Sequence, residues 1–136
     1  MTNKKIVSFL TACISMSALI INSNAANVNF EFSMVNPIDG ITHKTDGEYK
    51  DDDDQGFYVK VKKSDIIDKD LFYISAYKSS GAKVSKDVKV TPNWLKSKKP
   101  YRTIYTQGQN IGEGSKIQLA GRSDRYYCSL SGTWCP

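Results

Sequence analysis

Hydrophobic and polar residues alternate with a period of two along most of the chain after residue 26. This period is typical of strands with one buried face, because successive side chains in a strand point to opposite sides. The alternating segments are rich in Val, Ile, Tyr, Phe and Thr, which favour strands. The predicted strands lie at residues 27–34, 57–62, 71–77, 84–90, 101–106, 116–120 and 126–130.

Proline, glycine and serine residues separate these segments, as expected for turns. Six to eight short strands with frequent turns predict an all-β protein, a small antiparallel β-sandwich of immunoglobulin-like size. The pattern also predicts one short helix at residues 64–71, where Ser64 supplies an N-cap and Asp65 and Asp68 suit the first turn.

The first 25 residues have the pattern of a cleaved secretory signal peptide. Lys4 and Lys5 precede an apolar run of about 16 residues, and small residues precede a cleavage site after Ala25. An uncleaved anchor is the alternative, but a bilayer-spanning helix needs roughly 20 apolar residues. A lipidation site at Cys13 is a further alternative, but the apolar run continues beyond this cysteine. We therefore expect a secreted protein.

Removal of residues 1–25 from the 136-residue chain leaves 111 residues. This length suits one domain, predicted at residues 26–136 with an acidic loop near residues 39–56. The chain has one histidine and three cysteines, and it lacks the serine-hydrolase, zinc-protease and phosphate-loop motifs. The sequence therefore predicts a protein that is not an enzyme and needs no cofactor.

Charge is segregated along the predicted domain. Residues 26–54 hold eight acidic residues and two lysines, a net charge of −6, whereas residues 55–136 hold six acidic and 15 basic residues, a net charge of +9. Exposed ion pairs contribute little to stability, about 0–1 kcal/mol each. We therefore expect the two charged segments on opposite or separate faces, and little loss of stability when Asp51–Asp54 are replaced by serine.

The acidic loop is a candidate calcium site, because Ca²⁺ binds six to eight oxygen ligands. The spacing of its acids is not that of an EF-hand, and adjacent carboxylates do not readily converge on one ion. The favoured alternative is a solvated acidic loop without metal. The candidate ligands are Asp46, Asp51, Asp52, Asp53 and Asp54.

A second candidate site combines basic residues with interleaved aromatic residues between positions 86 and 105. Such a pattern is able to bind an anionic cell-wall polymer or an anionic membrane surface through charge and stacking. The alternative is a lysine-rich surface that protects edge strands and keeps the protein soluble. A net charge of +3 for residues 26–136 argues against specific nucleic-acid binding. The candidate residues are Lys86, Lys89, Trp94, Lys96, Lys98, Lys99, Tyr101 and Arg102.

Cys128 and Cys135 are the cysteines that follow the signal peptide. If Ser131 and Gly132 form a hairpin turn, the two cysteines face each other, and export permits a disulfide bond between them. If the last strand instead continues through Trp134, both thiols stay unpaired. The sequence favours the disulfide but leaves both alternatives open.

The segment Ile117-Gln-Leu-Ala-Gly121-Arg-Ser-Asp124, followed by Tyr126 and Ser131-Gly132-Thr-Trp134, resembles the end of short secreted proteins from Gram-positive bacteria whose function is unknown. The resemblance covers about the last 60 residues. The cysteine pair and the acidic loop depart from that pattern. The resemblance implies a secreted β protein and assigns no catalytic residue.

These observations predict a secreted, non-catalytic surface or matrix-associated protein that binds anionic cell-wall polymer. The alternative is a bacteriocin-like antimicrobial or toxin protein, which small size, export and the basic C-terminal part also fit. The long acidic segment and the lack of an amphipathic helix argue against that alternative.

Overall fold

The structure is a computed structural model that describes residues 27–36 and 42–136. The predicted signal peptide and residues 37–41, which include the start of the predicted acidic loop, lie outside the described residues. The elements, in chain order, are β1 (Val28–Val35), β2 (His43–Lys44), β3 (Glu48–Tyr49), β4 (Gly56–Ser64), β5 (Phe72–Lys78), β6 (Val88–Val90), α1 (Asn93–Lys96), β7 (Tyr101–Ile104), β8 (Lys116–Ser123) and β9 (Cys128–Cys135).

The strands form two antiparallel sheets that pack against each other, which confirms the predicted all-β sandwich. In the first sheet the strand order is β1-β9-β4-β7. In the second sheet the order is β2-β8-β5-β6, and β3 also pairs with β8. Strands that are distant in sequence are therefore neighbours, so most pairings required long-range contacts that the alternation alone does not specify.

The core lies between the sheets and contains the inward-facing side chains of the alternating segments. Phe32 of β1 and Phe72 of β5 bring their ring centroids to 6.2 Å across the two sheets. Burial of this apolar surface is the main favourable contribution to folding. The largest fully buried side chains include Trp134, Phe57, Phe72, Ile74, Ile111, Ile117, Leu119 and Leu130.

The helix predicted at residues 64–71 is wrong. The segment instead forms a turn, in which the Ser64 hydroxyl oxygen accepts a bond from the Ile66 amide and the Asp70 carboxylate accepts one from the Ile67 amide. Local bonds of this kind compete with helix formation, which is why Ser and Asp favour caps and turns. Within the described residues the helix is α1, which the sequence analysis did not predict.

The hairpin predicted at Ser131 and Gly132 is also wrong. Strand β9 runs without interruption from Cys128 to Cys135 and lies between β1 and β4. Gly132 is therefore a residue of a central strand. A Cβ atom at this position would lie 2.0 Å from the main-chain oxygen of Lys60, so the close approach of β4 requires glycine here.

The continuous strand rules out the predicted disulfide bond. The seven residue steps from Cys128 to Cys135 along an extended strand span roughly 23 Å, far beyond the reach of a disulfide. Cys128 and Cys135 are both free and both buried. Burial raises the pKa of the Cys128 thiol to about 11 and also raises the pKa of the Cys135 thiol, so both groups are protonated at neutral pH.

Candidate functional site

Five lysines of the predicted site are exposed, and we call this set the lysine patch: Lys86, Lys89, Lys96, Lys98 and Lys99. Lys86 precedes β6 and Lys89 lies within it, while Lys96 ends α1 and the other two lie in the connection to β7. Within residues 27–36 and 42–136, none of the five forms a salt bridge. The patch therefore presents uncompensated positive charge to solvent.

The aromatic residues of the predicted site do not join this surface. Trp94 is only 5% exposed, and its ring stacks on that of Tyr101 with centroids 4.1 Å apart and planes within 7°. Helix α1 thus packs against the sandwich through Trp94, its one buried residue. Trp94 therefore lies in the core, and Tyr101 is half-buried and packs against it, so the Trp94 ring is not presented to a ligand.

Arg102 is exposed, but its charge is compensated. Its guanidinium lies 2.5 Å from the carboxylate of Asp54, which also accepts a bond from the Tyr58 hydroxyl. Because of these bonds, above all the one from Arg102, the pKa of Asp54 is held below its usual range. The pKa of Arg102 is raised in turn by the same carboxylate. Arg102 is therefore less available to an anionic ligand than the lysine patch.

The Arg102–Asp54 pair also shows that the acidic and basic segments meet. The register of β4 and β7 places Tyr58 opposite Arg102, and Asp54 lies just before β4. The prediction that the two segments occupy opposite or separate faces is wrong at this contact. Sequence alternation does not show that β4 and β7 are neighbours, so it did not reveal the pair.

Lys50 is a buried residue at the centre of the acidic loop. Its side chain is 0% exposed, and its ammonium nitrogen lies 2.5 Å from Asp52 and 3.3 Å from the main-chain oxygen of Pro136. The ammonium also lies 5.7 Å from the centre of the Tyr105 ring. A buried charge is strongly destabilising unless it is paired. Asp52 is therefore the counter-charge that permits Lys50 to be buried.

The other acidic side chains of the loop have different partners. Asp53 accepts a bond from the Glu113 amide at 3.0 Å, and Asp54 binds Arg102, whereas Asp46 and Asp51 are exposed. No group of three or more His, Cys, Asp or Glu side chains in the described part of the chain is arranged to hold a metal ion. The calcium candidate at Asp46 and Asp51–Asp54 thus has no convergent set of ligands.

A cleft opens beside the lysine patch, between the free edges of the two sheets. β7 ends the first sheet and β6 ends the second, and the cleft between them has a volume of about 710 Å³. A bridge between Ser85 and Tyr105 closes one end. The cleft is lined by Val88, Ile104 and the Tyr105 ring, with Lys86 and Lys89 among its polar residues. Two lysines of the patch, Lys86 and Lys89, therefore line a concave surface.

A second basic surface, which the sequence analysis missed, covers the outer side of the second sheet. We call it the tyrosine face: Tyr49, Tyr73 and Tyr77 with the cations Lys116, Arg122 and Lys44 beside their rings. The cation-to-ring distances are 5.4, 5.3 and 4.0 Å, respectively. The signal was present in the alternation of residues 72–77, because the tyrosines occupy the phase opposite to the core residues.

No helix in the described ranges has the length and apolar character needed to cross a membrane. Comparison of the chain with family models, with curated proteins and with solved structures finds no match in any of the three. The resemblance to short secreted Gram-positive proteins therefore stays a prediction.

Proposed function

We propose that this chain is a secreted, non-catalytic protein that binds an anionic polymer of the cell wall through the lysine patch. The observation that supports this proposal most strongly is the density of exposed lysines, five between residues 86 and 99, together with their lack of salt bridges among the described residues. Arg102, Arg122 and Lys50 have carboxylate partners, whereas the five lysines of the patch have none among the described residues. Cations that are close along the chain, such as Lys96, Lys98 and Lys99, repel each other, and an anionic polymer relieves that repulsion.

The physical basis of such binding is multivalent charge attraction. A single exposed ion pair contributes only about 0–1 kcal/mol, so one lysine would not retain a ligand. A polymer with regularly spaced phosphate or carboxylate groups engages several lysines at once, and the second and later contacts form within one complex. Polymer binding also releases condensed counterions, which favours association at low salt. An anionic membrane surface satisfies the same charge requirement, at about 1 kcal/mol per lysine.

The proposal predicts that binding is strongly salt-dependent. Purified protein should be retained by isolated bacterial cell walls at low ionic strength, and its affinity should fall roughly tenfold or more between about 0.05 M and 0.5 M salt. The measurement is a sedimentation assay with a series of salt concentrations. Retention that does not change with salt, or no retention at any salt concentration, would contradict the proposal.

A further inference from the structure

We propose that the tyrosine face is a binding surface for an acidic polysaccharide, a polymer of sugar rings that carry carboxylate or phosphate groups. This inference rests on the proposed function and specifies the polymer, because it adds sugar recognition to the charge attraction of the lysine patch. The two surfaces are adjacent, since Lys89 of the patch lies directly opposite Tyr73 in the pairing of β5 with β6.

The tyrosines of the face are spaced along one side of a strand. Tyr73 and Tyr77 point to the same side of β5 and stand roughly 13 Å apart, a span of a few sugar rings. Between them lies Ser75, opposite Ala120 of β8. Both small residues are buried because larger neighbours cover them, among them Asp87, which is bonded to Ser75. The two half-buried rings are therefore separate contact points on the outer side of the sheet.

The chemistry of the tyrosine face matches both parts of an acidic sugar. One face of a pyranose ring is a set of C–H groups, which pack on an aromatic ring through dispersion. The cations beside the rings can meet the acidic groups. Lys44 lies 4.0 Å from the centre of the Tyr77 ring, and its side chain is exposed, so it can move aside while its charge stays near the ring.

The acidic side chains on this face are already paired. The carboxylate of Asp87, which is bonded to Ser75, lies 2.6 Å from Lys83 and 3.4 Å from Arg122. Burial opposes its ionisation, but these cations outweigh that effect and hold the pKa of Asp87 below its usual range. Arg122 also binds Asp124. The cations on the face or next to it, namely Lys44, Lys83, Lys89, Lys116 and Arg122, outnumber these two carboxylates.

The test compares a polymer that has sugar rings with one that has charge alone. The full-length protein is assayed against immobilised polygalacturonate and against inorganic polyphosphate at equal salt. The double variant Tyr73→Ser/Tyr77→Ser should bind polygalacturonate about tenfold more weakly and polyphosphate within about twofold of the unmodified protein. Tyr73→Phe/Tyr77→Phe keeps both rings and should retain binding to both polymers. Tyr127→Ser, at an exposed tyrosine outside the face, is the matched control and should change neither affinity.

Two kinds of failure are distinguishable. The inference about sugar recognition is overturned if the serine variant binds both polymers as tightly as the unmodified protein, or if its affinity falls equally for both. It is also overturned if the unmodified protein binds polyphosphate but not polygalacturonate. In each of these cases the proposed function stands. If the unmodified protein binds neither polymer, the proposed function itself is contradicted, and this inference with it.

Discussion

Replacing Gly132 with alanine is expected to destabilise the protein by about 3 kcal/mol or more. The added Cβ would lie 2.0 Å from the main-chain oxygen of Lys60 and 3.1 Å from the Cα of Val61, and neither backbone atom can rotate away. The strand can respond only by moving away from β4, which weakens the pairing of two central strands. The melting temperature should fall by roughly 12 °C or more, at about 4 °C per kcal/mol for a domain of this size.

Ser131→Ala is the matched control for this substitution, because Ser131 is the preceding residue of the same strand and its side chain lies on the outer side. We expect this control to change the melting temperature by no more than about 2 °C. Thermal unfolding followed by circular dichroism measures both variants. Similar melting temperatures for Gly132→Ala and the unmodified protein would contradict the close approach of β4 to β9 at Gly132.

Replacing Asp52 with asparagine is expected to cost about 3 kcal/mol of stability. The variant leaves the Lys50 ammonium buried without its carboxylate, with the neutral amide oxygen and the main-chain oxygen of Pro136 as close acceptors. Asparagine has nearly the same shape, and its side-chain oxygen can still accept the bond from the Asp54 amide. The loss therefore reports the missing negative charge and not a change in the turn.

The converse substitution, Lys50→Met, should cost less than Asp52→Asn. Methionine fills the space left by the lysine stem, and the Asp52 side chain, which is 32% exposed, remains accessible to water. The double variant should recover to within about 1 kcal/mol of Lys50→Met, because it removes both charges. Chemical denaturation of the four proteins completes the cycle. Equal losses for the two single variants, with simple addition in the double variant, would show that Lys50 and Asp52 do not interact.

This pair changes the expectation for the acidic loop. The sequence analysis treated Asp51–Asp54 as a solvated run whose replacement by serine would hardly affect stability. The structure places Asp52 against a fully buried lysine and Asp53 on the Glu113 amide. The same four-residue replacement is now expected to destabilise the protein. Nothing in a run of adjacent aspartates shows which of them meets a buried partner, since burial depends on the packing of distant strands.

The alternation of the sequence predicted the strands well because it reflects a local property, the two faces of each strand. It failed where a glycine was taken for a turn residue. Cys128, Leu130, Gly132 and Trp134 continue the alternation across Gly132, and all four are buried. Ser-Gly is a common turn pair, and the hairpin prediction rests on that turn propensity and not on the two-residue alternation of buried and exposed side chains. Glycine inside a strand can mark the close approach of another backbone, which is its role here.

The candidate site was predictable in part. The exposure of the five lysines follows from their charge, whereas the burial of Trp94 depends on its stacking with Tyr101 across the α1–β7 connection. The tyrosine face was visible in the outward phase of Tyr73 and Tyr77. The extent of the tyrosine face was not predictable, because β3 and β8 supply Tyr49 and Lys116 from distant parts of the chain.

The central claim is that the position of the lysine patch, and not net charge alone, causes binding to an anionic cell-wall polymer. The most direct measurement compares two triple variants that lose equal charge, one within the patch (Lys96→Gln/Lys98→Gln/Lys99→Gln) and one along β4 (Lys60→Gln/Lys62→Gln/Lys63→Gln). In a cell-wall sedimentation assay at low salt, the patch variant should bind about tenfold more weakly, and the β4 variant should stay within about twofold of the unmodified protein. Equal weakening of the two variants, or no weakening of the patch variant, would contradict the claim.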